Sequence, residues 1–467
     1  MKKTYRKFKN RKTRVRYSPI PSPSSKQWLK VIILFFVTTT GLSVFLLTGC
    51  SKEKDPKSGN VSTGHNLALK AEFGSSDTLE VRTQSIFAIW WDPKFDHSQD
   101  AQLVFDYLEE VRRDCLDHYG MKDPPNVAAG AYYNVYIHHG DEDGFPEEWS
   151  NGQGTNAMGL PFMTFPAGAH LDFNNVCHEG FHIFQYSANS PGFEYIGDSQ
   201  WYIEASAQWY MARKNPLVDR TFMEAKIMTA IPHISLWHSW DNGLPTDSAD
   251  WYHHIKQYGM HTLLYYLTDI KGVDPSILSK GFYEGTQQLP QEFLYHQIGP
   301  TTLREHFSEW TAHNTGGFDY LTQDQIAFAE NEESYAANPA NANPYALEFT
   351  DAGAVGIHSP PLALSPRGWA YNVIKINNTG NTNYTFNING NPMGTEGAAA
   401  HFEGRIVVVD INSTPRYVPF SMTDATSGSG SVTVTSTETE VYLNVISVPE
   451  HFSGNQRYGY SVTIGRN

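Results

Sequence analysis

The chain has 467 residues, with 34 Lys or Arg against 49 Asp or Glu and a formal net charge of −15. Residues 1–49 hold 11 of the basic residues and no acidic one, so the rest of the chain has 34 less 11, or 23, basic residues against 49 acidic ones, a net charge of −26. A surface this acidic repels nucleic acid and anionic lipid head groups, which excludes nucleic acid as an expected partner.

Residues 1–49 have the pattern of a secretory signal. A basic stretch is followed by the apolar run 31–48 and then by Cys50. The ending Leu-Thr-Gly-Cys resembles a bacterial lipobox, which implies cleavage before Cys50 and lipidation of its thiol. A plain signal anchor is the alternative, because 18 apolar residues are near the lower limit for a membrane span. Either interpretation places the protein outside the cytoplasm. The lipobox interpretation predicts a bacterial membrane lipoprotein at the outer membrane or cell surface. Residues 50–80 are then the lipidated Cys and a flexible tether.

The folded part is predicted to begin with alternating strands and helices. Aromatic and β-branched residues predict strands at 85–91 and 132–138, and helical spacing of apolar residues predicts a helix over 98–118 between them. Residues 159–173 predict a third strand, which Pro166 interrupts.

We expect this third strand to lie at the edge of its sheet, because proline cannot donate to a strand ladder. An extended peptide substrate can add to such an edge as a further strand. Met163, Thr164 and Phe165 are therefore the candidate substrate-binding residues of this edge.

Three smaller features are ambiguous. The pair 138–139 (His-His) precedes the acidic run 141–143, which lacks the spacing of a calcium loop and predicts a solvated turn. His170 either contacts the functional site or lies at a strand end on the surface. Cys115 and Cys177 either form a disulfide or remain buried free thiols.

Residues 178–182 read His-Glu-Gly-Phe-His, an instance of the HExxH pattern. Residues four apart share a helix face, so His178 and His182 can bind one cation. Glu179 lies one step around the helix, where it can serve as base for a metal-activated water. This spacing predicts a catalytic Zn²⁺ site. Gly180 is a poor helix residue that serves either the site or close helix packing.

A third zinc ligand is predicted in the next helix. Residues 201–210 are aromatic or small except for a few polar side chains, and Glu204 is the single carboxylate among them. An isolated acid is rarely buried unless it is paired or bound to a metal. Two His and one Glu leave a fourth position open, as catalytic zinc requires.

The C-terminal part changes character after a Pro- and Asn-rich linker at 336–345. From about residue 351, short β-rich runs alternate with Gly, Asn, Ser and Thr turns, which predicts a β-sandwich of roughly seven or more strands. The predicted fold class is α+β, with a catalytic domain over 81–345 followed by an all-β sandwich over 346–467. The sandwich has either a binding or a structural role.

The order of these features resembles the avirulence-protein-like (Svx-type) zinc metallopeptidases of bacteria, within the Glu-ligand zincins. The segments that carry the resemblance read AIWW, YNVYI, HEGFHIFQY and WYIEASAQWY, and they lie within residues 80–340. The resemblance implies a zincin-like metallopeptidase domain. It implies zinc ligation by His178, His182 and Glu204, with Glu179 as general base.

The resemblance also implies an oxyanion-stabilising Tyr or His from the region that follows the third ligand. The residues of those types there are Tyr252, His253, His254, Tyr258 and His261. We take Tyr258 as the candidate. The sequence departs from the usual zincin pattern at Phe181, where a small residue often precedes the second His, and this departure bears on substrate access.

Two functions follow from these observations. The first is a secreted, membrane-anchored zinc metallopeptidase that hydrolyses peptide bonds in a protein or peptide substrate. The alternative is a non-catalytic surface lipoprotein of zincin-like fold that binds glycan or protein. Glu179 favours the enzyme, because a binding protein has no need of a general base.

Overall fold

The computed structural model describes residues 79–143, 151–155, 161–215, 225, 231–239, 256–326, 347–349, 355–377, 380 and 382–466. Several predictions fall outside these residues: the signal peptide, Cys50 and the tether up to residue 78, the linker at 336–345, and Tyr252, His253 and His254. All described residues belong to one compact unit, Asn60–Asn467. No helix among them is long and apolar enough to cross a membrane.

The N-terminal half is built on a five-stranded mixed sheet. Its strands are β1 (Glu80–Gln84), β2 (Phe87–Trp91), β3 (Tyr133–His138), β4 (Gly152–Thr155) and β5 (Pro161–Pro166). The spatial order is β1-β2-β3-β5-β4. The three central strands are parallel, and β1 and β4 pair antiparallel at the two edges. The first two predicted strands are confirmed as β2 and β3. The third, predicted over 159–173, is confirmed only as β5, because a 3₁₀ turn at Ala169–Leu171 and the helix that begins at Phe173 follow it.

The prediction that Met163, Thr164 and Phe165 form the sheet edge is wrong. They lie in β5, which pairs with β3 on one side and β4 on the other, and all three are buried. Pro161 and Pro166 stand at the two ends of the strand, where a missing N–H removes little from the ladder. The true edge is β4, whose short, glycine-containing sequence gives no strand signal of its own.

Helices pack on the sheet, and further helices follow it in the described part of the chain up to Thr315. They are α1 (Asp100–Asp117), α2 (Pro125–Ala128), α3 (Phe173–Gln185), α4 (Gln200–Lys214), α5 (His261–Tyr265), α6 (Ser276–Lys280), α7 (Pro290–Ile298) and α8 (Pro300–Thr315). Short 3₁₀ turns span Gly140–Glu142, Ala169–Leu171, Pro191–Phe193, Gly197–Ser199, Gly281–Tyr283 and Leu362–Leu364, and a π-helical turn spans Tyr266–Ile270. The predicted helix at 98–118 is confirmed as α1.

Close packing of α3 against α1 explains the glycine in the middle of α3. A Cβ at Gly180 would lie 3.3 Å from Leu108 Cδ2 and 3.3 Å from Val111 Cγ1. Both neighbours are fully buried. The two helices therefore approach each other more closely than a larger residue would allow, and Gly180 serves helix packing.

Two five-stranded sheets make up the C-terminal part of the chain. Their strands are β6 (Leu347–Phe349), β7 (Gly356–His358), β8 (Ala370–Asn377), β9 (Thr382–Gly390), β10 (Phe402–Asp410), β11 (Pro415–Pro419), β12 (Ser421–Met422), β13 (Ser427–Val434), β14 (Glu438–Ser447) and β15 (Tyr460–Arg466). The first sheet has the order β11-β10-β14-β8-β6 and the second β12-β13-β9-β15-β7. Alternating residues of both sheets share one apolar core. The chain is α+β with a β-rich C-terminal part.

The first of these sheets packs on the helical part. Its strand β14 donates a hydrogen bond from Asn444 Nδ2 to the Thr311 carbonyl on α8, at 2.9 Å. Arg405 on β10 forms an ion pair of 2.6 Å with Glu305. Trp369, just before β8, lies in the same buried cluster as the residues around α3 and α4.

Candidate metal centre

The helix α3 presents the two histidines of the HExxH pattern. Asp172 caps its N-terminus by accepting a hydrogen bond from the Asn174 N–H at 3.0 Å. The four-residue spacing places the two imidazoles side by side, with 3.2 Å between His178 Nε2 and His182 Nε2. Both histidines lie within α3, so the helix geometry brings their side chains together.

Helix α4 brings a carboxylate to the same point. Glu204 Oε2 lies 3.2 Å from His178 Nε2 and 3.6 Å from His182 Nε2. Donors arranged tetrahedrally about 2.0–2.1 Å from a zinc ion lie roughly 3.3 Å apart. The three measured separations match that spacing, so the donor set of two imidazoles and one carboxylate fits a zinc ion.

Two glutamines orient the imidazoles. Gln208 Oε1 lies 3.1 Å from His178 Nδ1, and Gln185 Oε1 lies 2.5 Å from His182 Nδ1. When the amide oxygen accepts the Nδ1–H, the Nε2 lone pair is free for a metal. Gln185 is fixed in turn by a 2.7 Å hydrogen bond to Ser206. Neither glutamine was predicted from the sequence, although the spacing offered a signal. Gln185 lies three residues after His182, and Gln208 lies four residues after Glu204.

The electrostatics of this cluster favour a positive charge at its centre. Burial by itself raises the pKa of Glu204, but its hydrogen bonds to His178 and His182 outweigh burial and hold the pKa well below its usual range. Burial lowers the pKa of His182, but the same carboxylate outweighs this effect and raises it. An ionised carboxylate facing the buried imidazole of His182 and the partly buried one of His178 attracts a cation.

Glu179 follows His178 on α3 and is held by the edge strand β4. Gln153 Nε2 donates a hydrogen bond to the Glu179 carbonyl oxygen and lies 3.5 Å from Glu179 Oε2. The Tyr133 hydroxyl donates to Gln153 Oε1 at 2.9 Å. Gln153 gave no signal in the sequence, because only the tertiary structure brings β4 beside α3.

Tyrosine side chains surround the cluster on its outer side. The Tyr258 ring centroid lies 6.2 Å from that of His178. Burial, followed by the charges of Glu204 and Glu179, raises the pKa of Tyr258 well above its usual value, so the phenol keeps its proton. The candidate Tyr258 thus lies at the metal cluster with a hydroxyl able to donate.

Sequence reasoning missed two further tyrosines there. Burial, followed by the charge of Glu204, raises the pKa of Tyr195. Tyr186 packs its ring 5.4 Å from His182 and 6.2 Å from Tyr195. Tyr186 lies four residues after His182, so it is on the same helix face as the two candidate metal-binding histidines.

Other residues considered from the sequence lie elsewhere. Phe181 is buried and stacks on Tyr210 at 5.0 Å, facing the core. His261 is buried, with Nδ1 2.8 Å from the Tyr258 carbonyl oxygen. Cys115 and Cys177 are buried free thiols. Because Phe181 points away from the metal cluster, its bulk does not narrow the site.

The sequence predicts a solvated turn at the acidic run after β3, and the structure agrees only in part: Glu142 is exposed, whereas Asp143 is buried. Asp143 is only 4% exposed, and its Oδ2 accepts a hydrogen bond from the His139 N–H at 2.7 Å. His170 is buried and belongs to a second cluster of side chains.

A family model described as "Family of unknown function (DUF6055)" matches residues 85–462. No curated protein has detectable sequence similarity to the chain. Among solved structures, the chain is similar to the pre-peptidase C-terminal domain of a collagenase from Bacillus anthracis, with 10% identity over 26% of this chain and 94% of that one, at a TM-score of 0.17. A TM-score this low supports no conclusion about fold or function.

Proposed function

We propose that this chain, which belongs to the family of unknown function DUF6055, is a zinc-dependent peptidase with a zincin-like catalytic domain. The observation that carries the proposal is the spacing of three donor atoms from His178, His182 and Glu204, which lie 3.2–3.6 Å apart. HExxH spacing on α3 and a buried carboxylate on α4 are the two features that such a site needs. The resemblance to avirulence-protein-like metallopeptidases points the same way.

The chain's own residues take complementary roles. Zinc, when bound, lowers the pKa of a water and polarises a carbonyl. Glu179 takes the proton of the attacking water and later gives it to the leaving amine. Tyr258 keeps its proton and donates a hydrogen bond to the developing oxyanion.

The edge strand β4 is suited to hold an extended peptide. Only β5 pairs with it among the strands that the structure describes. Gly152 and Gly154 bring no side chains to its backbone, and Gln153 links the strand to the residue that acts as base. A peptide added along β4 passes the metal cluster with backbone hydrogen bonds that require no particular sequence.

The decisive experiment compares Glu179→Gln with wild type for hydrolysis of a peptide library and for zinc content. General-base catalysis contributes about 10²–10⁴-fold, so we expect a loss of that size with zinc retained. Glu292→Gln, on α7, is the matched control and should cleave normally. Undiminished cleavage by Glu179→Gln would refute this mechanism.

A wild-type protein that contains zinc but cleaves no peptide would support the alternative, a surface lipoprotein that binds glycan or protein. Glycan, ester and protein-binding screens of the same preparation would then identify its ligand class. The two functions are therefore separated by one purified protein and its Glu179→Gln variant.

We also propose that the protein is a bacterial membrane lipoprotein anchored through Cys50 outside the cytoplasm. The proposal rests on the basic and apolar segments before Leu-Thr-Gly-Cys in the sequence. Cys50→Ser should abolish incorporation of labelled palmitate and retain the uncleaved signal. Incorporation that persists in this variant would contradict the assignment.

A further inference from the structure

A second cluster of metal-ligating side chains lies apart from the HExxH residues. His97 follows β2, Asp100 begins α1, and His170 lies in the Ala169–Leu171 turn before α3. Each offers one nitrogen or oxygen atom, and these three atoms lie within 4.8 Å of one another. Asp100 Oδ2 is 2.9 Å from His97 Nδ1 and 3.3 Å from His170 Nε2.

A third imidazole supports the cluster from outside. His139, just after β3, places Nε2 2.9 Å from His97 Nε2. Its ring stacks on Phe95 with the centroids 3.6 Å apart. His97 Nδ1 therefore faces Asp100, and His97 Nε2 faces His139, whose ring is held by stacking on Phe95. Metal-bound histidines usually have this arrangement, in which the second ring nitrogen is held by a neighbouring polar group.

Burial and charge prepare these groups for a cation. His97 is 7% exposed and His170 is 1% exposed, whereas the Asp100 side chain is 34% exposed. Burial lowers the pKa of His170 and of His139. A hydrogen bond from His97 lowers the pKa of Asp100.

A further buried carboxylate adds negative charge nearby. Asp143 binds the His139 N–H through Oδ2, while its Oδ1 is buried with no hydrogen-bond partner among the described residues. An uncompensated buried carboxylate oxygen is costly unless a positive charge lies close to it.

We propose that His97, Asp100 and His170 bind a divalent transition-metal ion of the zinc class, at a site separate from the HExxH residues. Two imidazole nitrogens and one carboxylate oxygen suit such ions. The partly exposed side of Asp100 gives the ion a path to the site and room for water as a fourth ligand. The inference does not depend on peptidase activity.

The position of this site assigns it a structural role. It joins the segments after β2 and β5 to the start of α1, at the carboxyl ends of the parallel strands. His170 lies two residues before Asp172, the N-cap of α3. An ion bound here fixes the start of the helix that carries His178 and Glu179.

The test isolates this site by removing the histidines of the HExxH site. The variant used is the whole chain, purified in detergent, with His178→Ala and His182→Ala. Its metal is removed with a chelator, and binding of added Zn²⁺ or Co²⁺ is then measured by titration. We expect one ion per chain, with the visible absorption bands of protein-bound Co²⁺. Adding His97→Ala and His170→Ala should reduce the stoichiometry to zero. No bound ion in the first variant would overturn the proposal and show that the cluster is a hydrogen-bonded network only.

A second set of variants tests the site even if the variant with four histidine substitutions does not fold. Asp100→Asn keeps the size of the side chain and one acceptor oxygen but removes the negative charge, so in an otherwise wild-type chain it should lower the metal content from two ions to one. His118→Ala, a histidine on the surface of the same polypeptide region, is the control and should leave two. A wild-type chain with one ion that only the His178 and His182 substitutions remove would refute this site and leave the proposed function intact. One ion that only the Asp100 or His170 substitutions remove would refute the proposed function and support this site.

Discussion

Gln153 on the edge strand β4 donates its side-chain N–H to the main-chain carbonyl of Glu179 on α3 and lies 3.5 Å from the Glu179 carboxylate. The strand proposed to hold the substrate and the residue proposed to act as base are thereby joined by one side chain. Tyr133 holds that side chain through a hydrogen bond to its amide oxygen. Movement of β4 therefore changes the position of the base.

Gln153→Ala should lower kcat for peptide hydrolysis by about 10-fold, because the base loses its fixed orientation while the metal ligands are untouched. Zinc content should be unchanged. Steady-state kinetics with a fluorogenic peptide check this, with Gln297→Ala on the exposed side of α7 as control. An unchanged kcat would show that Gln153 only stabilises the strand.

Gln208→Met should weaken zinc binding by about 10–100-fold, because His178 loses the acceptor that fixes its Nδ1 proton and ring orientation. Methionine keeps the buried volume, so the fold should be retained. Competition with a chromophoric chelator measures the affinity, and Gln297→Met is the matched control. Equal affinities in wild type and Gln208→Met would contradict an orienting role.

Gly180→Ala should destabilise the protein by roughly 1 kcal/mol, although alanine is the better helix former. The added Cβ meets Leu108 and Val111 at 3.3 Å, and neither can move into solvent. Denaturant unfolding of Gly180→Ala, Val111→Ala and the double variant checks this. We expect the double variant to be more stable than the sum of the single effects, whereas strict additivity would exclude the contact.

Lys256→Met should stabilise the protein at pH 6 and have little effect near pH 10. Burial, followed by the charge of Arg367, lowers the pKa of Lys256 to about 7. The unfolded chain has the ordinary pKa of roughly 10.4 and so binds the proton more tightly, which makes stability rise with pH from 7 to about 10. The cost of the buried lysine is fully present below pH 7 and amounts to roughly 5 kcal/mol.

Unfolding curves at the two pH values check the Lys256 prediction, with Lys280→Met on the surface as control. Lys256 Nζ also donates to the Ile231 carbonyl at 3.3 Å, so the loss of one hydrogen bond should reduce the gain slightly at both pH values. A substitution effect that does not change between pH 6 and pH 10 would show that Lys256 is not titrating within the fold.

The sequence by itself determined the parts that depend on local spacing. The i, i+4 geometry of a helix places His178 beside His182 wherever the helix lies, and a lone carboxylate in an apolar helix marked Glu204 as a buried group with a partner. Strands β2, β3 and β5 could be predicted from their apolar, β-branched runs. The β-rich C-terminal part could be predicted from its repeated short strand-like runs and turns.

The tertiary structure alone decided which side chains meet across elements. Gln153 reaches Glu179 because a four-residue, glycine-rich segment pairs with β5, and sheet order depends on long-range pairing that leaves no local pattern. His170 meets His97 and Asp100 for the same reason, since it lies 70 residues after Asp100 in sequence and comes close only where strand ends and a helix start converge. Local spacing therefore identified one candidate metal-binding cluster, and the fold revealed the edge strand and the second candidate cluster.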